Sequence, residues 1–255
     1  MRFLIWIALL PAIALAVYIY KKDGVEHEPV RLIVRLFGYG ALACLPAALV
    51  EMVLSRVFAA LQIQNPYWAI FLEAFVVAAL CEETCKFLFL RTTWRDPAFD
   101  FQFDGIVYAV TVALGFAALE NVNYVLQYGL NTGLLRAVTA VPGHAIFGVF
   151  MGYFYGHAKL SDYSGHPGQT RDFLALSVAA PVLLHGTYDF LAMAMERSDI
   201  FMLPFFAFLI LLYVIGVSRV NRSARSDRRV APEIVQDYFQ RMHWDSNRWD
   251  DPSRR

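Results

Sequence analysis

The sequence predicts an all-α fold, a polytopic membrane bundle of about seven transmembrane helices. Three observations lead there. Of 255 residues, 58% are hydrophobic and only 17% are charged, whereas an ordinary soluble domain has roughly 45–50% apolar and about 25% charged residues. The apolar residues gather in runs of about 20, the length a helix needs to cross hydrocarbon. Those runs show no period-two alternation, so barrel strands are not expected. The same composition weighs against a soluble globule or a disordered chain. Twenty-two basic residues balance 22 acidic ones, so no net field steers the chain toward nucleic acid. Three cysteines make no disulfide framework.

The expected spans are residues 3–20, 36–61, 67–92, 104–127, 134–158, 172–195 and 199–219. The first reads as a membrane anchor, because Lys21 and Lys22 follow the apolar run, whereas a signal peptide carries its charges in front. Polar connectors separate the others: "KKDGVEHEPVR" after the first, "RDPAFDFQFD" before the fourth, "SDYSGHPGQTR" between the fifth and sixth. Residues 1–220 are therefore expected to form one transmembrane bundle that carries the chemistry. Residues 221–255 are expected to form a polar cytoplasmic tail, with one short helix near Pro232–Met242.

Lysine and arginine near span ends set the orientation. One set of loops holds Lys21, Lys22, Arg31, Arg91, Arg95, Lys159, Arg171 and the Arg219–Arg229 group. The opposite set holds Arg2, Arg136 and Arg197. The richer side is expected to be cytoplasmic, which puts the N-terminus outside and the C-terminus inside.

Several apolar runs contain charges, which are expensive in lipid and by default mark function. The third span holds Glu82, Glu83 and Lys86, the fourth Glu120 and Asn121, the fifth His144, the sixth His185 and Asp189. Glu82 and Lys86 are four apart, as are His185 and Asp189, so each pair shares a helix face. Depth agrees as well. At about 1.5 Å per residue, Glu120 lies about 24 Å from the charge-rich side, His185 and His144 about 21 Å, and Glu83 about 18 Å. One buried cluster is therefore within reach. Any single such residue is accounted for by helix stitching, but four motifs at matching depth each add an insertion cost that stitching does not require.

Other features take the plainer account. Glu51 and Glu73 read as bundle-facing acids or partners of Arg56, and Cys81 and Cys85 as packing residues. Gly148, Gly152 and Gly156 read as a stripe for close helix packing. His27, His157, His166 and His243 read as solvated or interfacial, and Tyr67, Trp68, Trp94 and Tyr213 as interface anchors.

Carboxylates and imidazoles at one depth suit water activation by either of two routes. In one, a divalent metal, zinc first, sits among Glu83, Glu120, His144 and His185 and acidifies bound water. In the other, no metal is needed, and a desolvated glutamate takes the proton while histidine and Asp189 stabilise the oxyanion. Both routes hydrolyse an amide within the membrane. Proton or ion carriers and scaffolds use similar residues, so a non-enzymatic membrane protein is the rival reading. A carrier favours broken helices and inverted repeats. Pro142–Gly143 and Pro181 are the break candidates, yet the two halves look unalike.

The ordered set "EETCK" (Glu82–Lys86), "FAALEN" (Phe116–Asn121), the His144 helix and "HGTYD" (His185–Asp189) resembles the PrsW family of intramembrane proteases. "FDGIVYAV" at Phe103–Val110 and "GFAALENVNY" at Gly115–Tyr124 look like its fourth-span signature. The likeness covers roughly residues 40–220. That family is similar in turn to the CAAX-prenyl-endopeptidase and bacteriocin-processing superfamily, although this chain has Glu120 where the wider group has the histidine of FxxxH. The resemblance implies a membrane-anchored protein substrate, with an anti-sigma factor among the candidates, and no nucleic acid. The roles expected on these positions are as follows. Glu82 or Glu83 is the general base, with the other a ligand or a partner of Lys86. Glu120, His144 and His185 hold metal or water, Asp189 orients His185, and Asn121 donates to the scissile carbonyl.

Overall fold

A computed structural model describes residues 2–230, so the helix expected near residues 232–242 lies outside the described residues. Among the described residues every element is helical: α1 (Arg2–Lys22), α2 (Val30–Ala60), α3 (Pro66–Leu72), α4 (Leu80–Leu90), α5 (Asp104–Tyr128), α6 (Leu130–Val138), α7 (Ala140–Tyr163), α8 (Pro167–Met195) and α9 (Met202–Arg225). Six stretches of the described residues are each long and apolar enough to cross a membrane. The remaining expected span, the third, is a continuous rod from Pro66 to Leu90 whose winding changes midway. Between α3 and α4, residues Glu73–Ala79 form a π-helix, and Leu80 N–H reaches back to Phe75 O. Such wide turns inside a helix are uncommon and recur at functional sites.

The outer faces are apolar, as lipid requires. Leu203, Ile210 and Val214 on α9 and Leu45 and Leu49 on α2 all stand exposed. The chain is a multi-pass membrane protein. Its centre is α5, where every residue from Asp104 to Ala118 is buried. This follows from a stretch that is apolar on all sides and rich in glycine and alanine. The small-residue stripe packs as expected. A side chain at Gly148, Gly152 or Gly156 would meet backbone atoms at Val110, Gly105 or Gln102, so α5 and α7 touch nearly backbone to backbone.

The expected fifth span is divided at Thr139 into α6 and α7. Pro142 is the cause. It has no N–H to give the carbonyl four residues back, and the Tyr213 hydroxyl donates to that carbonyl, Val138 O, at 2.6 Å instead. Tyr213, expected as an interface anchor, thus also repairs a break between helices. At the other division, Gly129 takes φ 86° between α5 and α6, a conformation that favours glycine.

All the basic-rich connectors share one end of the bundle. Lys22 Nζ donates to Asn221 Oδ1 at 2.9 Å, Arg35 pairs with Asp96 at 2.9 Å, and Phe103 N donates to Asp227 at 2.9 Å. Helix α9 runs past residue 220 to Arg225. The chain then folds back, so that Val230 N donates to Asp100 O at 2.7 Å.

Candidate active site

The acids of "EETCK" occupy the first turn of α4, directly after the π-helical stretch. That stretch packs on α8 at Gly186, where a side chain would strike the Phe75 ring. The close approach brings His185 of α8 against Glu83: His185 Nδ1 and Glu83 Oε1 are 2.9 Å apart. His144 comes in on α7, and its ring lies 5.1 Å from that of His185, nearly perpendicular to it. One donor atom from each of Glu82, Glu83, His144 and His185 lies within 4.8 Å of the others, and all four residues are buried.

Lys86 stands among them with no exposed surface. Its Nζ donates to Glu82 at 3.0 Å, to Glu83 at 2.7 Å and to His144 Nδ1 at 3.1 Å, and lies 4.0 Å from the centre of the Phe116 ring. An ammonium only donates. His144 Nδ1 therefore accepts, and Nε2 carries the hydrogen toward Glu120, 2.9 Å away. His185 is turned the same way, with Nδ1 inward to Glu83 and Nε2 outward to Asp189 at 3.2 Å, but both partners are carboxylates, so both of its nitrogens donate. An outer carboxylate fixing the tautomer and tilt of a histidine is the arrangement that supports metal-binding imidazoles. The Phe147 ring stacks on His185 at 4.8 Å and 18°, so both imidazoles are held by packing and by hydrogen bonds.

The donor set suits a divalent metal, with two imidazoles and two carboxylates from three separate rods. A second observation points the same way: Glu83 Oε2 is buried and unpartnered among the described residues. The Lys86 ammonium already marks the place where these donors stabilise positive charge.

The cluster forms one wall of a cavity of about 680 Å³ that Glu82, Glu120, His144, His185, Asp189 and Arg136 help to line. Glu83 is walled off behind them. The cavity continues between α2 and the third rod, past Glu51 and Glu73, and Ser55 Oγ donates to Glu73 at 2.9 Å. Neither acid pairs with Arg56 among the ion pairs of the described residues.

Two expected placements differ. Glu120 lies outside the four-residue cluster, because Arg136 holds it at 2.7 Å while it accepts from the outer nitrogen of His144. Asn121 faces the other side of α5, fully buried, and donates to Ala8 O of α1 at 2.9 Å. Glu120 lines the cavity and Asn121 does not; adjacent residues on a helix point about 100° apart, and here that turn takes Asn121 to α1, where it fastens helices together. Arg136 is the residue that sequence reasoning missed, because it was counted only as a loop charge. Its guanidinium also lies 3.8 Å from the Tyr124 ring. The signal was a lone arginine eight residues before His144 in an otherwise apolar stretch.

Comparison with known proteins agrees with this geometry. A family model described as the PrsW family intramembrane metalloprotease matches residues 28–217. A protease PrsW of Oceanobacillus iheyensis is 39% identical over 214 residues, which cover 84% of this chain and 92% of the relative. One from Bacillus subtilis is 36% identical over 200 residues, 78% and 87% of the two chains. One from Geobacillus kaustophilus is 38% identical over 193 residues, 75% and 80%. No solved structure matches the chain.

Proposed function

The chain belongs to the PrsW family of intramembrane metalloproteases, and from that premise we propose how its residues divide the work of cleaving a membrane-anchored protein. One observation carries the reading: Glu82, His144 and His185 converge on the wall of a cavity in the bundle, with Glu83 directly behind them. Glu83, His144 and His185 would hold a zinc ion, with Glu82 beside it. When bound, that ion polarises the scissile carbonyl and acidifies water. Glu82 is the general base, because it faces the cavity and Glu83 does not. It takes a proton from the attacking water and passes it to the amide nitrogen as the C–N bond breaks, leaving a carboxylic acid and an amine. Glu120 and Asp189 orient the two imidazoles through their outer nitrogens, and Arg136 holds Glu120 in place.

The substrate segment reaches the cluster along the cavity between α2 and the third rod, where polar Ser55, Glu73 and Glu51 line an otherwise apolar passage. An unwound peptide in such a passage can pair its backbone groups, as it cannot in lipid. By the family resemblance, a membrane-anchored anti-sigma factor is the substrate to try first. The basic-rich end faces the cytoplasm, with the N-terminus outside and residues 221–255 as a cytoplasmic tail.

A second reading has its own observation: Lys86 Nζ lies 2.7–3.1 Å from three of the four donors and offsets part of their charge without any ion. In that route a glutamate acts alone as the base. Metal analysis of purified protein beside a cleavage assay with and without chelator separates the two. One zinc per chain, with activity lost on chelation and restored by zinc, supports the first route. Full activity in metal-free protein overturns it. Reporter fusions at both ends of the chain test the orientation.

A further inference from the structure

A second group of acids lies at the basic-rich end, about 24 Å along α5 from Glu120. Asp23 and Glu28 come from the connection between α1 and α2, Asp104 from the first turn of α5, and Asp227 from the segment after α9. One carboxylate oxygen each of Asp23, Glu28 and Asp104 lies within 4.8 Å of the others. These three residues are only 1%, 5% and 2% exposed. Asp227 stands close enough for its charge to act on Asp23.

Two of these carboxylates use one oxygen to pin the backbone. Asp104 Oδ2 accepts from the N–H groups of Asp100 and Phe101 at 3.1 and 2.7 Å. Asp227 Oδ1 accepts from Phe103 and Arg228 N–H, both at 2.9 Å. Oxygens on the other side are left over: Asp23 Oδ2, Glu28 Oε2 and Asp227 Oδ2 are buried without a hydrogen-bond partner among the described residues. Burial of such oxygens is costly unless something positive meets them. Among the described residues, no lysine or arginine is ion-paired with these four acids, while Arg229 pairs with Asp100 at 3.5 Å.

We propose that Asp23, Glu28 and Asp104, with Asp227 at the rim, form a site for a hard divalent cation, Ca²⁺ or Mg²⁺. Asp23, Glu28 and Asp227 each leave one oxygen unpartnered, Glu28 shares its other contacts with Tyr108 and Asp104, and this set of carboxylates matches the all-oxygen preference of such ions. The ion ties the α1–α2 connection to the start of α5 and to the segment after α9, three pieces of chain far apart in sequence. The protonation behaviour of the two connector acids is consistent with this. Burial first, and then the Asp227 charge, outweighs the opposing pull of His27 and pushes Asp23 up to about 6, and burial pushes Glu28 up to about 8. The site is separate from the proteolytic centre and independent of its chemistry.

The test uses full-length purified protein in detergent, titrated with Ca²⁺ and, separately, with Mg²⁺ while Tm is followed. One ion is expected to raise Tm by about 2–4 °C at saturation. The rise should vanish in Asp23→Asn and in Glu28→Gln but persist in Glu83→Gln. Terbium is a second probe, because Tyr108 lies beside Glu28 and can sensitise its emission. The signal is expected in the wild type and in Glu83→Gln, displaced by the stabilising ion. If the connector variants do not fold, terbium stoichiometry decides, with one displaceable site retained in Glu83→Gln. Flat Tm and no emission overturn the proposal. So does a rise that survives in Asp23→Asn or disappears in Glu83→Gln, and so does a Tm that ignores both ions and climbs only as pH falls, since protons would then neutralise the cluster.

Discussion

The molecule buries two acidic clusters, about 24 Å apart along the same helix, and they handle their charge in opposite ways. Around the two histidines, each carboxylate has a cationic or imidazole partner: Lys86 for Glu82 and Glu83, Arg136 and His144 for Glu120, His185 for Asp189. At the basic-rich end, the acids lean on backbone N–H groups and leave oxygens over. The first cluster has its cations and imidazoles built in, which equips it for chemistry. The second is short of positive charge, and its natural use is to gather an ion and hold loops. Burial alone thus does not make a catalytic centre. What distinguishes one is a set of partners that fixes charge and tautomer before the substrate arrives.

The largest expected effect removes the chemistry itself. Glu82→Gln and Glu83→Gln should each lower cleavage of a membrane-tethered reporter by about 10³-fold or more while the protein still inserts, a loss in the range for a positioned base or metal ligand. Metal analysis then separates the pair, since Glu82→Gln should keep its zinc and Glu83→Gln should lose it. Equal metal content in both would remove the distinction drawn between base and ligand.

Next comes the internal cation. Lys86→Met removes the ammonium from two buried carboxylates and leaves Glu83 with His185 alone, and breaking such a buried pair costs about 3–5 kcal/mol. Thermal unfolding of chelated protein should show the loss, and zinc should recover part of it. No change in Tm would mean that the lysine does not balance the cluster.

A smaller effect tests the packing that holds α7, and with it His144, in place. Gly152→Leu puts a side chain into the Gly105 backbone and should cost about 1–3 kcal/mol by overpacking, with cleavage falling as His144 shifts. An unchanged Tm would contradict the close α5–α7 approach. The smallest effect is expected next door to a large one. Asn121→Ala gives up its bond to Ala8 O and should cost about 1 kcal/mol with the cleavage rate within about twofold. Glu120→Ala should lower the rate by about 10-fold or more, since outer-sphere partners of metal-bound histidines matter on that scale. A large rate loss in Asn121→Ala would return that side chain to the cavity.

Much of this was legible from the chain alone. Runs of apolar residues must become spanning helices because lipid offers the backbone no other partner, so the seven rods and the shared end of the basic connectors followed from composition and spacing. Glu83, Lys86, His144 and His185 could be found because charge in an apolar run is costly, and matching depth is simple arithmetic on helical rise. Three things were not legible. The change of winding at Glu73–Ala79 depends on packing against α8. Arg136 looked like a loop charge because a sequence count cannot show that α6 turns it inward toward Glu120. The acids of the basic-rich end sat in polar connectors, where acids are ordinary, and became unusual only when three distant segments buried them together.

The sequence by itself therefore determined what lipid enforces locally: which segments cross, which polar residues lie at mid-depth, and that those residues must find one another. Only the tertiary structure decided who meets whom. Rotation of a helix about its axis is set by packing against its neighbours, and about 100° of it separates a residue on the cavity wall from one that fastens two helices together. That angle is why Glu120 meets His144 while Asn121 holds α1.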